Sequence, residues 1–139
     1  MPATRFHLHH LGVAVTDLDS ALRFYREALG CELLSGPFHD PLQRVAVCFI
    51  GSAGAGQIEL VAPIGEDSPV HRYLTREVGA YHTCYEVDSI EQAVEGLREQ
   101  GCLVLSKPVP AVAFAGRRIV WLYTPTRHLL ELLEQDPPK

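Results

Sequence analysis

The chain contains one pattern written twice. The segment VTDLDSALRFYREALGCELLS, from Val15, returns as VDSIEQAVEGLREQGCLVLS from Val87. Val15 matches Val87, Leu18 matches Ile90 and Ala21 matches Ala93, each pair 72 positions apart. Arg26-Glu27 matches Arg98-Glu99 at the same offset. After a slip of one residue, Gly30-Cys31 matches Gly101-Cys102 and Ser35 matches Ser106. Chance supplies two or three such identities, not this many in register. A duplicated unit is therefore the main constraint on the fold.

Each copy has the same outline. An apolar strand, about Leu8 to Val15 and Tyr81 to Val87, leads to a helix start at Asp17 or Ser89. Leu18, Ala21, Leu22 and Tyr25 form one apolar helix stripe; Ile90, Ala93, Val94 and Leu97 form its twin. Gly30 and Gly101 stand where a C-terminal cap belongs. Three strands follow in each copy, about Cys31–Gly36, Val45–Ile50 and Gln57–Ala62, then Leu103–Lys107, Arg118–Tyr123 and Leu129–Glu134. The segment EDSPVHRYLTREVG reads as a short linking helix after Pro69. The expected fold is α+β: two paired βαβββ modules forming a cup-shaped sheet with helices outside. Module 1 covers about 6–64, the linking helix 67–78 and module 2 79–135, within one domain of 1–139.

Bulk properties narrow the function. With 139 residues, 47% hydrophobic and 21% charged, the chain suits a soluble globular domain. A net charge of −5 gives a nucleic-acid partner no electrostatic support. No apolar run approaches the ~18 residues a membrane span needs. The start MPATRFHLHH has no secretory h-region. Cys31, Cys48, Cys84 and Cys102 form no CxxC and read as buried thiols in a reducing compartment, so the expected location is cytoplasmic.

The repeat also sorts the histidines of FHLHHLGVAV. Shifted by the same offset, His10 lands on His82, whereas His7 and His9 land on Gly79 and Tyr81. Glu59 in QIELVAP lands on Glu131 in LLELLEQ. Strand alternation puts Leu11, Val13 and Val15 on the helix-packed face and His10 on the other, with Leu8 and Gly12. Glu59 and Glu131 alternate with Ile58, Leu60, Leu130 and Leu132, so both carboxylates also avoid the helices. A lone histidine on an apolar strand is ordinarily a satisfied core residue, and a lone glutamate an edge residue. Four of them at symmetric positions in one cavity would cost several kcal/mol unless paired or metal-bound. His10, Glu59, His82 and Glu131 are thus the candidate ligands of one divalent ion: Zn, Co, Ni or Mn, with Fe also compatible. His7 and His9 are read as solvent-side residues at a chain end.

At these residues the chain resembles the vicinal oxygen chelate (glyoxalase/bleomycin-resistance) superfamily, and within it the methylmalonyl-CoA epimerases. The motifs are HHLGVAVTDLDSALRFYREALG, QIELVAPIGEDSPVHRYL, YHTCYEVDSIEQAVEGLREQG and LLELLEQ, covering about residues 6 to 135. The resemblance implies a divalent metal on the four residues named above and an oxygen-bearing substrate. It further implies removal of a proton beside a carbonyl, with Glu131 as the base.

Two departures stand out. Epimerases of this type look like PEQKVRVAFL where this chain has PLQRVAVCFI, so Leu42 replaces a proton-transferring glutamate. Asp40, two residues earlier, is the nearby substitute, set against a plain exposed-loop reading. The loop TPTRHLLEL is short and carries Arg127 and His128 where small residues are usual in a pocket for acyl-CoA. His71 likewise stands where small residues are common, and otherwise reads as a helix-surface histidine. Arg117-Arg118 could meet a phosphate or carboxylate of a substrate, or remain simply exposed. Trp121 and Tyr123 alternate on one face with Ile119 and read as core packing.

The leading reading is a metal-dependent enzyme performing α-proton or enolate chemistry on an acyl thioester, carried by coenzyme A or an acyl carrier protein. Epimerisation, isomerisation and an elimination or cyclisation lyase reaction share that first step. The second reading is a glyoxalase I-type isomerase of a hemithioacetal, whose ligand set is identical. An iron extradiol dioxygenase fits less well, since it typically needs two histidines and one carboxylate. A metal-free sequestering protein is the reading from another class, and metal content discriminates it. A homodimer is the expected assembly.

Overall fold

A computed structural model describes residues 4–51 and 56–136, which fall into two compact units. The first unit runs from His10 to Tyr81; the second gathers residues 4–9 with residues from His82 onward.

In the first unit, β1 (Phe6–Ala14) leads to α1 (Leu18–Leu29), then β2 (Glu32–Asp40), β3 (Val45–Gly51), β4 (Gln57–Pro63) and α2 (His71–Thr75). The sheet order is β2-β3-β4-β1, antiparallel except for the parallel pair β1–β4. Helix α1 starts where Asp17 accepts the Ser20 N–H at 2.9 Å, which satisfies a donor with no partner inside the helix. It stops at Gly30, whose φ of +71° suits a residue without a Cβ. The expected stripe of Leu18, Ala21, Leu22 and Tyr25 packs on Cys48, Ile50 and Leu60, together with Val13 and Val15. Leu11, expected on that face, is exposed instead.

The second unit repeats the plan with β5 (Ala80–Val87), α3 (Ile90–Glu99), β6 (Leu103–Val104), β7 (Val109–Pro110), β8 (Arg118–Tyr123) and β9 (Leu129–Glu134). The order is β5-β9-β8-β6, with β7 also on β8, and again the crossover pair β5–β9 is parallel. Ser89 caps α3 by accepting the Gln92 N–H at 3.2 Å. Ile90 and Ala93 are buried against Val120, Leu122, Leu130 and Leu132, with Val94 and Leu97 packed alongside.

Further features differ from the sequence expectation. The strand expected over Leu103–Lys107 pairs only at Leu103 and Val104, although the Leu105 N–H still reaches the Trp121 carbonyl at 2.8 Å. Pro108 and Pro110 have no N–H to give to a ladder, and a 3-10 turn follows at Val112–Phe114. The start of β1 belongs with the second unit: the Arg5 N–H meets Asp88 at 3.2 Å and the Phe6 ring stands edge-on to Tyr85. His9 is half-buried there, 5.5 Å from the Phe114 ring, so it is no solvent residue, while His7 is exposed as expected. Tyr123, expected in the core, is exposed. Among the described residues, no helix is long and apolar enough to cross a membrane.

Candidate functional site

Within the first unit, the parallel register of β1 and β4 places His10 level with Gln57, so Glu59 lies two residues further along. Side chains two apart share a sheet face. His10 Nε2 stands 3.4 Å from Glu59 Oε1, with both residues buried. Phe49 on β3 is directly opposite Glu59, and its ring lies 5.3 Å from the His10 imidazole at 75°. The other face carries Cys48, whose thiol is pushed up to about 11 by burial and then by the Glu59 charge.

The second unit builds the same constellation. His82 is level with Leu129 across β5 and β9, and Glu131 lies two residues on. His82 Nε2 stands 3.4 Å from Glu131 Oε1, both residues again buried. Trp121 on β8 is opposite Glu131, its ring 5.0 Å from the His82 imidazole at 90°. Every position in this description is its first-unit counterpart moved by the repeat offset.

Each unit thus presents one imidazole nitrogen and one carboxylate oxygen side by side in a buried setting. Such nitrogen and oxygen donors fit a borderline-to-hard divalent ion, and all four residues are of metal-ligating type. Burying a carboxylate in an apolar sheet is costly, and a cation or a proton shared with the neighbouring imidazole offsets that cost.

The other sequence candidates lie elsewhere. Asp40 is buried, not exposed: it ends β2, and its Oδ1 accepts the N–H groups of Leu42 and Gln43 at 3.1 and 3.2 Å. That closes the turn between β2 and β3, and the string HDPLQ carries the signal for it. Asp40 pairs with Val45, while Glu59 pairs with Phe49 four residues along β3, a separation of roughly 13 Å along the sheet. Leu42 is exposed in the same turn. His71 opens α2 and donates from Nε2 to the Gly65 carbonyl at 2.9 Å.

Arg117 binds the Glu86 carboxylate through Nη2 and the Glu134 carbonyl through Nε at 2.9 Å. Arg118 binds Glu134 at 3.1 Å and Glu91 at 2.9 Å; these bonds raise its pKa and hold Glu91 below the usual carboxylate range. Both guanidinium groups are thus engaged by the protein's own carboxylates. His128 is exposed among threonines, 3.3 Å from Thr83 Oγ1 and 3.2 Å from Thr124 Oγ1. Phe49 is not among the residues the sequence singles out, and Trp121 reads there only as core packing. Their shared offset was the available signal.

Residues 9–121 match the family model described as the Glyoxalase/Bleomycin resistance protein/Dioxygenase superfamily. The chain is 36% identical over 118 residues to an ethylmalonyl-CoA/methylmalonyl-CoA epimerase of Cereibacter sphaeroides, covering 84% of this chain and 87% of that protein. Among solved structures, a methylmalonyl-CoA epimerase from Mycobacterium tuberculosis superposes with a TM-score of 0.81 at 27% identity, covering 94% of this chain and 89% of that one. A variant of the Streptomyces coelicolor methylmalonyl-CoA epimerase, in complex with 2-nitronate-propionyl-CoA, gives a TM-score of 0.78 at 26% identity, covering 94% and 98%.

Proposed function

Because the chain belongs to the glyoxalase/bleomycin resistance protein/dioxygenase superfamily, we propose that it is a metal-dependent, epimerase-like enzyme that removes the α-proton of an acyl thioester. The observation that carries this reading is the duplicated, buried His–Glu pair. His10, Glu59, His82 and Glu131 together hold one divalent ion: Zn, Co, Ni or Mn. Bound there, the ion supplies a Lewis acid that makes a C–H bond beside a carbonyl more acidic. The relatives named for methylmalonyl-CoA, and the complex with a propionyl-CoA analogue, support a thioester carried on coenzyme A. An acyl carrier protein offers the same thioester chemistry.

Glu131 is the residue we assign to the proton. It offers a carboxylate beside His82, within a half-site whose apolar walls limit water. A second proton-transfer group is harder to find. Leu42 has no proton to move, and Asp40 is committed to its turn. With Glu59 kept as a ligand, Glu131 alone takes the proton and returns it, to the same face of the substrate more readily than to the other.

Methylmalonyl-CoA and related thioesters in deuterated water test this. The metal-loaded protein should exchange the α-hydrogen faster than it inverts configuration, and Glu131→Gln should abolish exchange. No exchange by the metal-loaded wild type would overturn the reading. Racemisation as fast as exchange would overturn the one-carboxylate scheme and point to a two-base epimerase.

A further inference from the structure

The proposed metal site explains the two histidines and two glutamates, but not why each pair has an aromatic ring beside it. We infer that Phe49 and Trp121 are positioning residues, one in each unit, that fix the ring plane of His10 and His82 for metal binding. The inference rests on the metal reading above and extends it to residues that do not ligate.

Three observations carry it. Both rings are held by register: Phe49 faces Glu59 and Trp121 faces Glu131 across neighbouring strands. Both stand edge-on to the imidazole, at 5.3 Å and 75° in one unit and 5.0 Å and 90° in the other. The third is internal to the sequence. Along β3 and β8, Val47, Cys48 and Ile50 correspond to Ile119, Val120 and Leu122, aliphatic or thiol in both copies. Only at Phe49 and Trp121 do both copies carry an aromatic ring. Val47 and Ile119, two residues away and on the same face as Phe49 and Trp121, are branched aliphatic side chains, so packing on that face does not by itself call for a ring.

The physical reason lies in the last torsion of histidine. Rotation about the bond to an imidazole is broad and roughly two-fold, so a contact at Nε2 does not by itself define the ring plane. Glu59 or Glu131 approaches Nε2, and the aromatic wall fixes the plane in a second direction. A ring held in place before the ion arrives loses less freedom on binding, which appears as affinity.

The test uses the metal-stripped full chain, titrated with Zn²⁺ by calorimetry and with Co²⁺ by fluorescence. Trp121 is the single tryptophan, so quenching by Co²⁺ reports on the site without any substrate. Phe49→Leu and Trp121→Leu should each weaken Zn²⁺ binding by about twofold to tenfold, the range edge-on ring contacts supply. Trp121→Phe should restore affinity to near wild type. Phe49→Leu keeps the fluorophore and should shift the Co²⁺ quenching curve to higher concentration.

Ile119→Val trims the apolar cluster around Trp121 without removing the ring. It should lower the melting temperature and leave Zn²⁺ affinity unchanged. Unchanged affinity in both leucine variants, or an equal loss in Ile119→Val, would overturn the positioning role while leaving the metal reading intact. A wild type that binds neither ion would overturn both.

Discussion

Glu131 and His82 meet at 3.4 Å with almost no solvent reaching either, because a parallel strand pair sets them on one face. Removing one member takes a buried polar partner from the other. His82→Ala should destabilise the metal-free protein by about 3 kcal/mol, the usual result of leaving half of a buried pair. Replacing His82 and Glu131 together by leucine should recover most of that loss and still abolish metal binding. Denaturant unfolding curves, compared at equal slope, provide the measurement.

Metal content should follow the duplication. The purified wild type should carry about one divalent ion per chain, and His10→Ala and His82→Ala should each remove it. Elemental analysis after desalting gives the count. Chelation should lower the melting temperature of the wild type, since a ligand bound only by the folded state stabilises it, and leave both variants unmoved.

Asp40 separates a structural from a chemical role. Asp40→Ala should cost about 1 kcal/mol by removing the acceptor for two turn N–H groups, while deuterium exchange per folded molecule stays at the wild-type rate. Loss of exchange with unchanged stability would instead place Asp40 in the chemistry.

Cys48 should be inert in the folded protein. With its thiol pushed up to about 11, only about one molecule in a thousand is thiolate at pH 8. Iodoacetamide should label the half-buried Cys31 first and Cys48 only after unfolding, as read by peptide mass spectrometry.

The two helix caps should differ in their response to acid. Hydrogen bonds from the Ser20 backbone and side chain hold Asp17 below its ordinary pKa. Its contribution is therefore present above the unfolded pKa and lost as pH falls through the lower folded value. Ser89 does not titrate, and Ser89→Ala should cost about 1 kcal/mol at every pH. In thermal melts, the gap between Asp17→Ala and wild type should be wide at pH 7 and narrow at pH 3; the Ser89→Ala gap should stay constant.

What the sequence made legible was either local or repeated. Asp17, Ser89 and Gly30 announce helix ends through their own hydrogen bonding and φ, so their roles survive folding unchanged. The two His–Glu pairs were legible because one offset names both. What escaped depended on tertiary placement. Nothing in FHLH says that its first residues side with Asp88, Tyr85 and Phe114. Asp40 looked like an exposed loop residue because a short polar string with prolines gives no sign of burial. The ladder that β6 leaves after Val104 shows how proline past the expected strand reshapes what precedes it.

The outermost strands of the two units are marked differently. In β2, pairing with β3 slips between Leu33 and Ser35 and again before Phe38, and Pro37 sits within the strand. In the second unit the outer strand is cut into β6 and β7 around Pro108. A tandem duplication faces a hazard that a single module does not: similar strands in the two copies offer each sheet a second candidate partner. Irregularities at different places give each edge its own signature. An outer strand of one copy then mates poorly with the other, and neither edge offers an unbroken ladder to a neighbouring chain. Interruptions of this kind at an outer strand are a general guard against domain swapping and strand-by-strand aggregation.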